Sequence, residues 1–205
     1  RLVYVLGTGP SLQNISTEKY SGYKTVGCNS VIEYMDLTVW CSAHTCLNDC
    51  KRWISSNNYE VAFFIEKFIS NDDNGKTVLN VRLQSEKSLT ANVLDKIFWV
   101  NRIKSVDDID TKMFPFSFVI PFGNPEGYIS GLFAIDVAIR LGAKRIALVG
   151  FDYMIPDYYQ HWKCENKLSV ADKQRWTIVY SDYMKKHIEY FERRNDIRVE
   201  YLGLN

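Results

Sequence analysis

The sequence is short of histidine, with 3 residues, and of proline, with 5, and it carries almost no surplus of charge. In 205 residues, 25 Lys and Arg stand against 24 Asp and Glu, a formal net charge of +1. So balanced a chain sets up no strong field toward nucleic acid or a membrane surface, which argues against a nucleic-acid partner while leaving room for a local basic patch. No apolar run approaches the roughly 18–20 residues that cross a bilayer, so no membrane span is expected. The first residues do not read as a secretory leader. Cysteines number 5, an odd count without the spacing of a disulfide scaffold, and a reducing cytoplasm is the expected setting. Cys41, His44, Cys46 and Cys50 crowd together. Their C-x2-H-x-C-x3-C spacing lacks the paired CxxC arms of structural zinc sites, so metal-free thiols are expected. Two phosphate-binding signatures are also missing, GxGxxG and GxxxxGK followed by Ser or Thr.

What the chain does have is 46% hydrophobic and 24% charged residues, the composition of a globular domain with a substantial core. One domain over residues 1–205 is expected, with residues 154–172 as a lid loop. Leu2–Leu6 is an apolar run suited to a strand buried on both faces of a parallel sheet. Gly7, Gly9 and Pro10 break it, and a helix is expected to start at Ser11, or a few residues later at Ser16 or Thr17. Such a turn is expected to leave backbone N–H groups uncovered beside a helix N-terminus, which favours an anion. KTVGCNS (Lys24–Ser30), LTVWCSAH (Leu37–His44) and YEVAFFIE (Tyr59–Glu66) read as further strands. From Ser70 to Lys112 the pattern blurs, with a turn in SNDDNGK, a strand in TVLNVRL and a polar end in SVDDIDTK. This stretch is expected to form an excursion or lid rather than part of the main sheet.

The clearest unit follows. Apolar residues cover most of a helix surface from Tyr128 to Leu141, Gly142 stops the helix, and Arg145–Gly150 returns as a buried strand. Helix–Gly–strand is half of a βαβ unit, and one such unit at each end of the chain argues for a doubly wound α/β sheet. Ligands bind at the carboxyl ends of the strands in such sheets. That places Gly7-Thr8-Gly9-Pro10-Ser11, Cys28-Asn29-Ser30, Ser42-Ala43-His44 and Gly150-Phe151-Asp152-Tyr153 on one rim, provided the strands are parallel. An aromatic loop, MIPDYYQHWKCENKLS, precedes a long helix over Ala171–Arg194, and IRVEYLGLN reads as a terminal strand.

VYVLGTGPSL, GCNS and SGLFAIDVAIRLGAKRIALVGFDY, in that order, resemble the bacterial family-42 sialyltransferases and the broader DUF115-like Rossmann group. The matched segments amount to about 40 positions, each weakly specific alone and more so in sequence. The resemblance implies an α/β, doubly wound, mostly parallel Rossmann-like sheet with a lid. It further implies sugar transfer from a nucleotide-activated donor, a CMP-sugar favoured, to a hydroxyl acceptor, without metal or resident cofactor. By the same resemblance, Gly7, Thr8 and Gly9 would approach the donor phosphate and ribose, within the turn that Pro10 and Ser11 complete. Asn29 would hydrogen-bond nucleotide or sugar, and Ser130 and Gly131 would present a hydroxyl and backbone N–H groups at a helix start. Asp152 would stand at the strand end. The family's general base is a lid histidine, for which His161 is the nearest match, and its two phosphate tyrosines correspond to Tyr153, Tyr158 or Tyr159. Where the family carries asparagines in the opening turn and after the third strand, this chain has Thr8 and, nearby, Ser42. Family members often assemble as homo-oligomers.

The residues themselves leave alternatives open. A histidine with an ordinary pKa near 6.5 can take a proton from an acceptor hydroxyl. His161 among aromatic loop residues and His44 on the rim both fit, while His187 reads as a surface or packing residue of the long helix. Asp152 can serve a ligand or cap a neighbouring turn. Metal-dependent sugar transferases present Asp-x-Asp after a strand. Here Asp152 has no second carboxylate before Asp157, and Asp108-Ile109-Asp110 lies in a polar segment. The rival readings are an ATP- and Mg²⁺-dependent diphosphokinase of the DUF115-like group, a non-catalytic nucleotide-binding module, and a glycosyltransferase acting on modified DNA.

Overall fold

A computed structural model describes residues 1–14, 16–20, 22–42, 47–56, 58–65, 67–72, 75–80, 91–103, 117–119, 130–152 and 170–202. In chain order the strands are β1 (Leu2–Leu6), β2 (Lys24–Cys28), β3 (Leu37–Ser42), β4 (Tyr59–Ile65), β5 (Lys67–Asp72), β6 (Gly75–Asn80), β7 (Ile97–Ile103), β8 (Ser117–Val119), β9 (Arg145–Val149) and β10 (Arg198–Tyr201). The helices are α1 (Leu47–Ser56), α2 (Ala91–Leu94), α3 (Ser130–Arg140) and α4 (Val170–Asn195). Eight strands form one sheet in the order β10-β9-β1-β2-β3-β4-β7-β8. Every pairing in it is parallel. The fold is therefore the expected α/β, Rossmann-like parallel sheet.

Alternation along the strands explains why both faces are covered. Val3 and Val5 of β1, Val39 and Cys41 of β3, and Ile146 and Leu148 of β9 enter one core with Leu132, Phe133 and Ile135 of α3 and Met184 and Phe191 of α4. Leu6, Trp40 and Val149 point the other way, into a second core with Ile54 of α1 and with Leu12 and Ile32 from short 3₁₀ turns. A parallel sheet wrapped this way must be apolar on both faces. Trp40, fully buried, meets the rings of Trp53, Tyr59 and Phe64 at centroid distances of 6.4, 5.5 and 5.5 Å.

α3 ends as its sequence requires. Gly142 adopts φ +84°, its N–H reaches Ile139 O at 2.9 Å, and Ala143 N–H reaches Ala138 O at 3.1 Å. This is the paired closure that a glycine at C′ permits. Asp136, inside this apolar helix, pairs with Arg140 at 2.7 Å. Burial raises its pKa, and the arginine partly offsets that rise.

Two expectations are corrected. The chain after Gly9 forms not an α-helix but two 3₁₀ turns, Pro10–Asn14 and Thr17–Tyr20. The stretch from Ser70 to Lys112 is an excursion only in part. β5 and β6 make a separate antiparallel pair, but Ile97–Ile103 joins the main sheet beside β4. Its apolar residues explain this: Ile97 and Val100 are buried, and Phe98 stacks on Phe63 at 5.2 Å. Of the proposed lid over 154–172, residues 154–169 lie outside the described residues, and from Val170 the chain is already α4.

His187 packs inside the fold rather than at its surface, between Tyr183 and Phe191, with Nδ1–H donating to Tyr183 O at 2.8 Å. Burial lowers its pKa below the ordinary 6.5. The folded state thus prefers the neutral ring, and its contribution is complete above about pH 6.5 and lost as pH falls from there through the folded value. Denaturant unfolding measured from pH 7.5 to 5 should show stability declining on acidification, and His187→Phe should flatten that slope.

Candidate functional site

All strands of the main sheet run the same way, so the ends of β1, β2, β3 and β9 share one rim. The strand order reverses between β1 and β9, the place where open α/β sheets form a crevice. The turns leaving these two strands are pressed together. Gly7 N–H donates to Val149 O and Gly9 N–H to Gly150 O, both at 2.7 Å. A Cβ on Gly7 would collide with the Gly150 carbonyl, and one on Gly9 with the Asp152 carboxylate. Gly150 itself sits at φ +73°. These glycines serve close backbone approach.

Asp152 locks the same junction. It is 1% exposed; its Oδ2 accepts the Ser11 N–H at 2.7 Å and its Oδ1 accepts the Tyr201 hydroxyl at 3.2 Å. Ser11 Oγ in turn accepts the Gly150 N–H at 3.2 Å. The expected row of uncovered N–H groups is therefore corrected: those of Gly7, Gly9 and Ser11 are occupied within the fold. Of the two readings of Asp152, turn capping is what these contacts display. Thr8 and Pro10, half-buried, complete the turn.

A second cluster lies at the ends of β2 and β3. Asn29 adopts φ +49°, a left-handed conformation that asparagine tolerates better than most residues. Its backbone carbonyl accepts the Trp40 Nε1–H at 2.9 Å. Its Oδ1 accepts two hydroxyls, Ser42 Oγ at 3.0 Å and Ser130 Oγ at 2.9 Å. Two donors on the carbonyl end orient the carboxamide, and its Nδ2 makes no hydrogen bond among the described residues. Ser130 opens α3, an eleven-residue helix whose N-terminus brings a partial positive charge beside this donor pair. Gly131, next along, is buried.

Asn29, Ser42 and Ser130 are thus brought together, as are Gly7, Gly9, Ser11 and Asp152. His161, Tyr153, Tyr158, Tyr159 and His44 lie outside the described residues. Cys28 and Cys41 are buried, which pushes the Cys28 thiol up to about 12 and Cys41 well above its ordinary range. Both are neutral packing thiols. Sequence reasoning missed Tyr201 as the partner of Asp152 and Trp40 as the anchor of the Asn29 carbonyl. Neither belongs to a local motif.

No family model matches the chain, and no curated protein matches it. Among solved structures it is similar to the crystal structure of a point variant of the sialyltransferase CST-II in complex with CMP. The identity is 17% and the TM-score 0.49, over 100% of this chain and 82% of that one. A similarity of that size leaves the fold to rest on the sheet topology and the chemistry on the site itself.

Removing the Asp152 carboxylate would leave the buried Ser11 N–H without its acceptor and take away the acceptor of the Tyr201 hydroxyl. Asp152→Ala should lower unfolding stability by about 2–3 kcal/mol and Tyr201→Phe by about 1 kcal/mol, read from urea melts.

Proposed function

We propose that the chain is a glycosyltransferase that moves a sugar from a nucleotide-activated donor, a CMP-sugar favoured, to a hydroxyl acceptor without metal. The observation that carries this reading is the oriented carboxamide of Asn29, held by Ser42 and Ser130 beside the start of α3. It offers neutral N–H donors at a strand-end crevice, which suit the hydroxyls and phosphate oxygens of a nucleotide sugar. The resemblance of GTGPSL, GCNS and the α3–β9 segment to nucleotide-sugar enzymes supports the same ligand. A diphosphokinase would want free carboxylates facing a divalent ion, yet both oxygens of Asp152 already accept hydrogen bonds.

In this mechanism the acceptor oxygen attacks the donor's anomeric carbon as a histidine takes its proton, and the bond from that carbon to the phosphate oxygen breaks. His161 is the favoured base and His44 the alternative. Hydroxyls of Tyr153, Tyr158 or Tyr159 donate to the departing phosphate, adding to the α3 amides. Asn29, Ser130, Gly131 and the turn Gly7–Ser11 hold the donor. The remaining proposals are a cytoplasmic enzyme, homo-oligomeric, without a nucleic-acid partner; among the described residues no helix is long and apolar enough to cross a membrane.

A thermal-shift panel with CMP, UDP, GDP and ATP, each with EDTA or Mg²⁺, tests the reading. CMP or UDP should raise Tm by several degrees in EDTA, since ligand at about 100 times Kd adds about 2.7 kcal/mol. Asn29→Ala should abolish that shift while remaining folded. His161→Ala should keep it while lowering transfer at least about 100-fold. Stabilisation by ATP with Mg²⁺ alone would replace this reading with the diphosphokinase, and binding without turnover of any donor would leave a nucleotide-binding module.

A further inference from the structure

Asn29 presents its carboxamide from a backbone conformation that few side chains favour, at φ +49°. Such a conformation persists where the surrounding structure over-determines it. With β2 fixed in the sheet, a return to negative φ would swing the Cα–Cβ bond and carry Oδ1 off the Ser42 and Ser130 hydroxyls. The same rotation would swing the Asn29 carbonyl, so whatever pins that carbonyl also pins the side chain.

Two indoles oppose the rotation. Asn29 opens the 3₁₀ turn Asn29–Glu33, whose residues Ser30, Val31 and Ile32 are buried. At its first residue, the Trp40 Nε1–H donates to the Asn29 carbonyl at 2.9 Å. At its last, the Trp53 Nε1–H donates to Glu33 Oε1, also at 2.9 Å. The two indoles meet edge to face with centroids 6.4 Å apart, so one aromatic contact spans both ends of the turn. Trp40 has no room to follow a moving carbonyl. Its side chain is fully buried against the rings of Tyr59 and Phe64, and strand register sets its backbone opposite Gly27, two residues before Asn29. An indole N–H can only donate, and a buried one that lost its acceptor would be left uncompensated.

We infer that Trp40 is a positioning residue of the donor site: by holding the Asn29 carbonyl, it fixes the direction in which the carboxamide meets a nucleotide. This role rests on the nucleotide-donor reading above. Being fully buried, Trp40 meets no ligand itself and acts through Asn29. A phenylalanine at position 40 would fill much of the same space and leave the Asn29 carbonyl without that donor.

Calorimetric titration of the full chain with CMP and with UDP, in EDTA, tests the inference on the unaltered protein, Trp40→Phe and Phe64→Leu. Phe64→Leu removes a ring from the same cluster and no hydrogen bond. The nucleotide that binds the unaltered chain should bind Trp40→Phe about tenfold more weakly, and Phe64→Leu within about twofold of the unaltered chain. In proton–nitrogen correlation spectra of the ligand-free protein, the side-chain amide signal of Asn29, assigned by its loss in Asn29→Ala, should move toward its random-coil position in Trp40→Phe only. Should Trp40→Phe fail to fold, benzothienylalanine at position 40, which keeps the indole's shape and has sulfur in place of the N–H, carries the same expectations. Unchanged affinity or an unmoved Asn29 signal on loss of the N–H, or an equal loss of affinity in Phe64→Leu, would overturn the role of Trp40 alone. Binding of neither nucleotide by the unaltered chain would overturn the donor reading and this role with it.

Discussion

The rest of this molecule depends on how closely two turns approach each other. Gly7 and Gly9 leave β1, Gly150 leaves β9, and each backbone sits where any other side chain would strike its neighbour. Two 2.7 Å hydrogen bonds close the gap, and Asp152 then ties the opening turn to β10 through Ser11 and Tyr201. Three strands that are adjacent in space and far apart in sequence are fastened at one point. A glycine-rich turn of this kind invites reading as a phosphate cradle, yet most of its N–H groups serve the fold.

The Nδ2 of Asn29, which makes no hydrogen bond among the described residues, lies one strand over. Asn29 accepts hydroxyls from the end of β3 and the start of α3, and its own carbonyl is pinned by Trp40. The positive φ at Asn29 turns the chain sharply at the end of β2, and two hydroxyls orient its carboxamide. Preorganised donors of this kind need little reorganisation on binding. The same parallel sheet makes the two edges electrically unlike. Strand ends face helix starts such as that of α3, whereas strand starts face helix ends and a cleft lined by tyrosines and carboxylates.

The order and type of most elements were legible in the residues. β1, β2, β3, β4, β9, β10, α3 and α4 fall within a few positions of the apolar runs and periodicities that announce them, because alternation and glycine punctuation act locally. The Gly142 closure of α3 is the cleanest case. β7 was obscured because Ile97–Ile103 follows a polar, turn-rich stretch, and only its pairing with β4 identifies it as part of the sheet. The helix expected after GTGPSL did not form as such; Pro10, the tight turn and the Asp152 carboxylate together favour a 3₁₀ segment.

By itself, then, the sequence determined the α/β alternation, the two apolar faces of the strands, and which short motifs would stand at strand ends. Each follows from neighbours within a few residues. The tertiary structure alone decided what those motifs do. Asn29 meets Ser130 across 101 positions, Asp152 meets Ser11 across 141, and Tyr201 reaches Asp152 across 49. The cleft at the far edge likewise gathers side chains from the starts of β2, β3 and β4. Such contacts depend on strand order, and strand order is set by how whole faces pack, which no local pattern records.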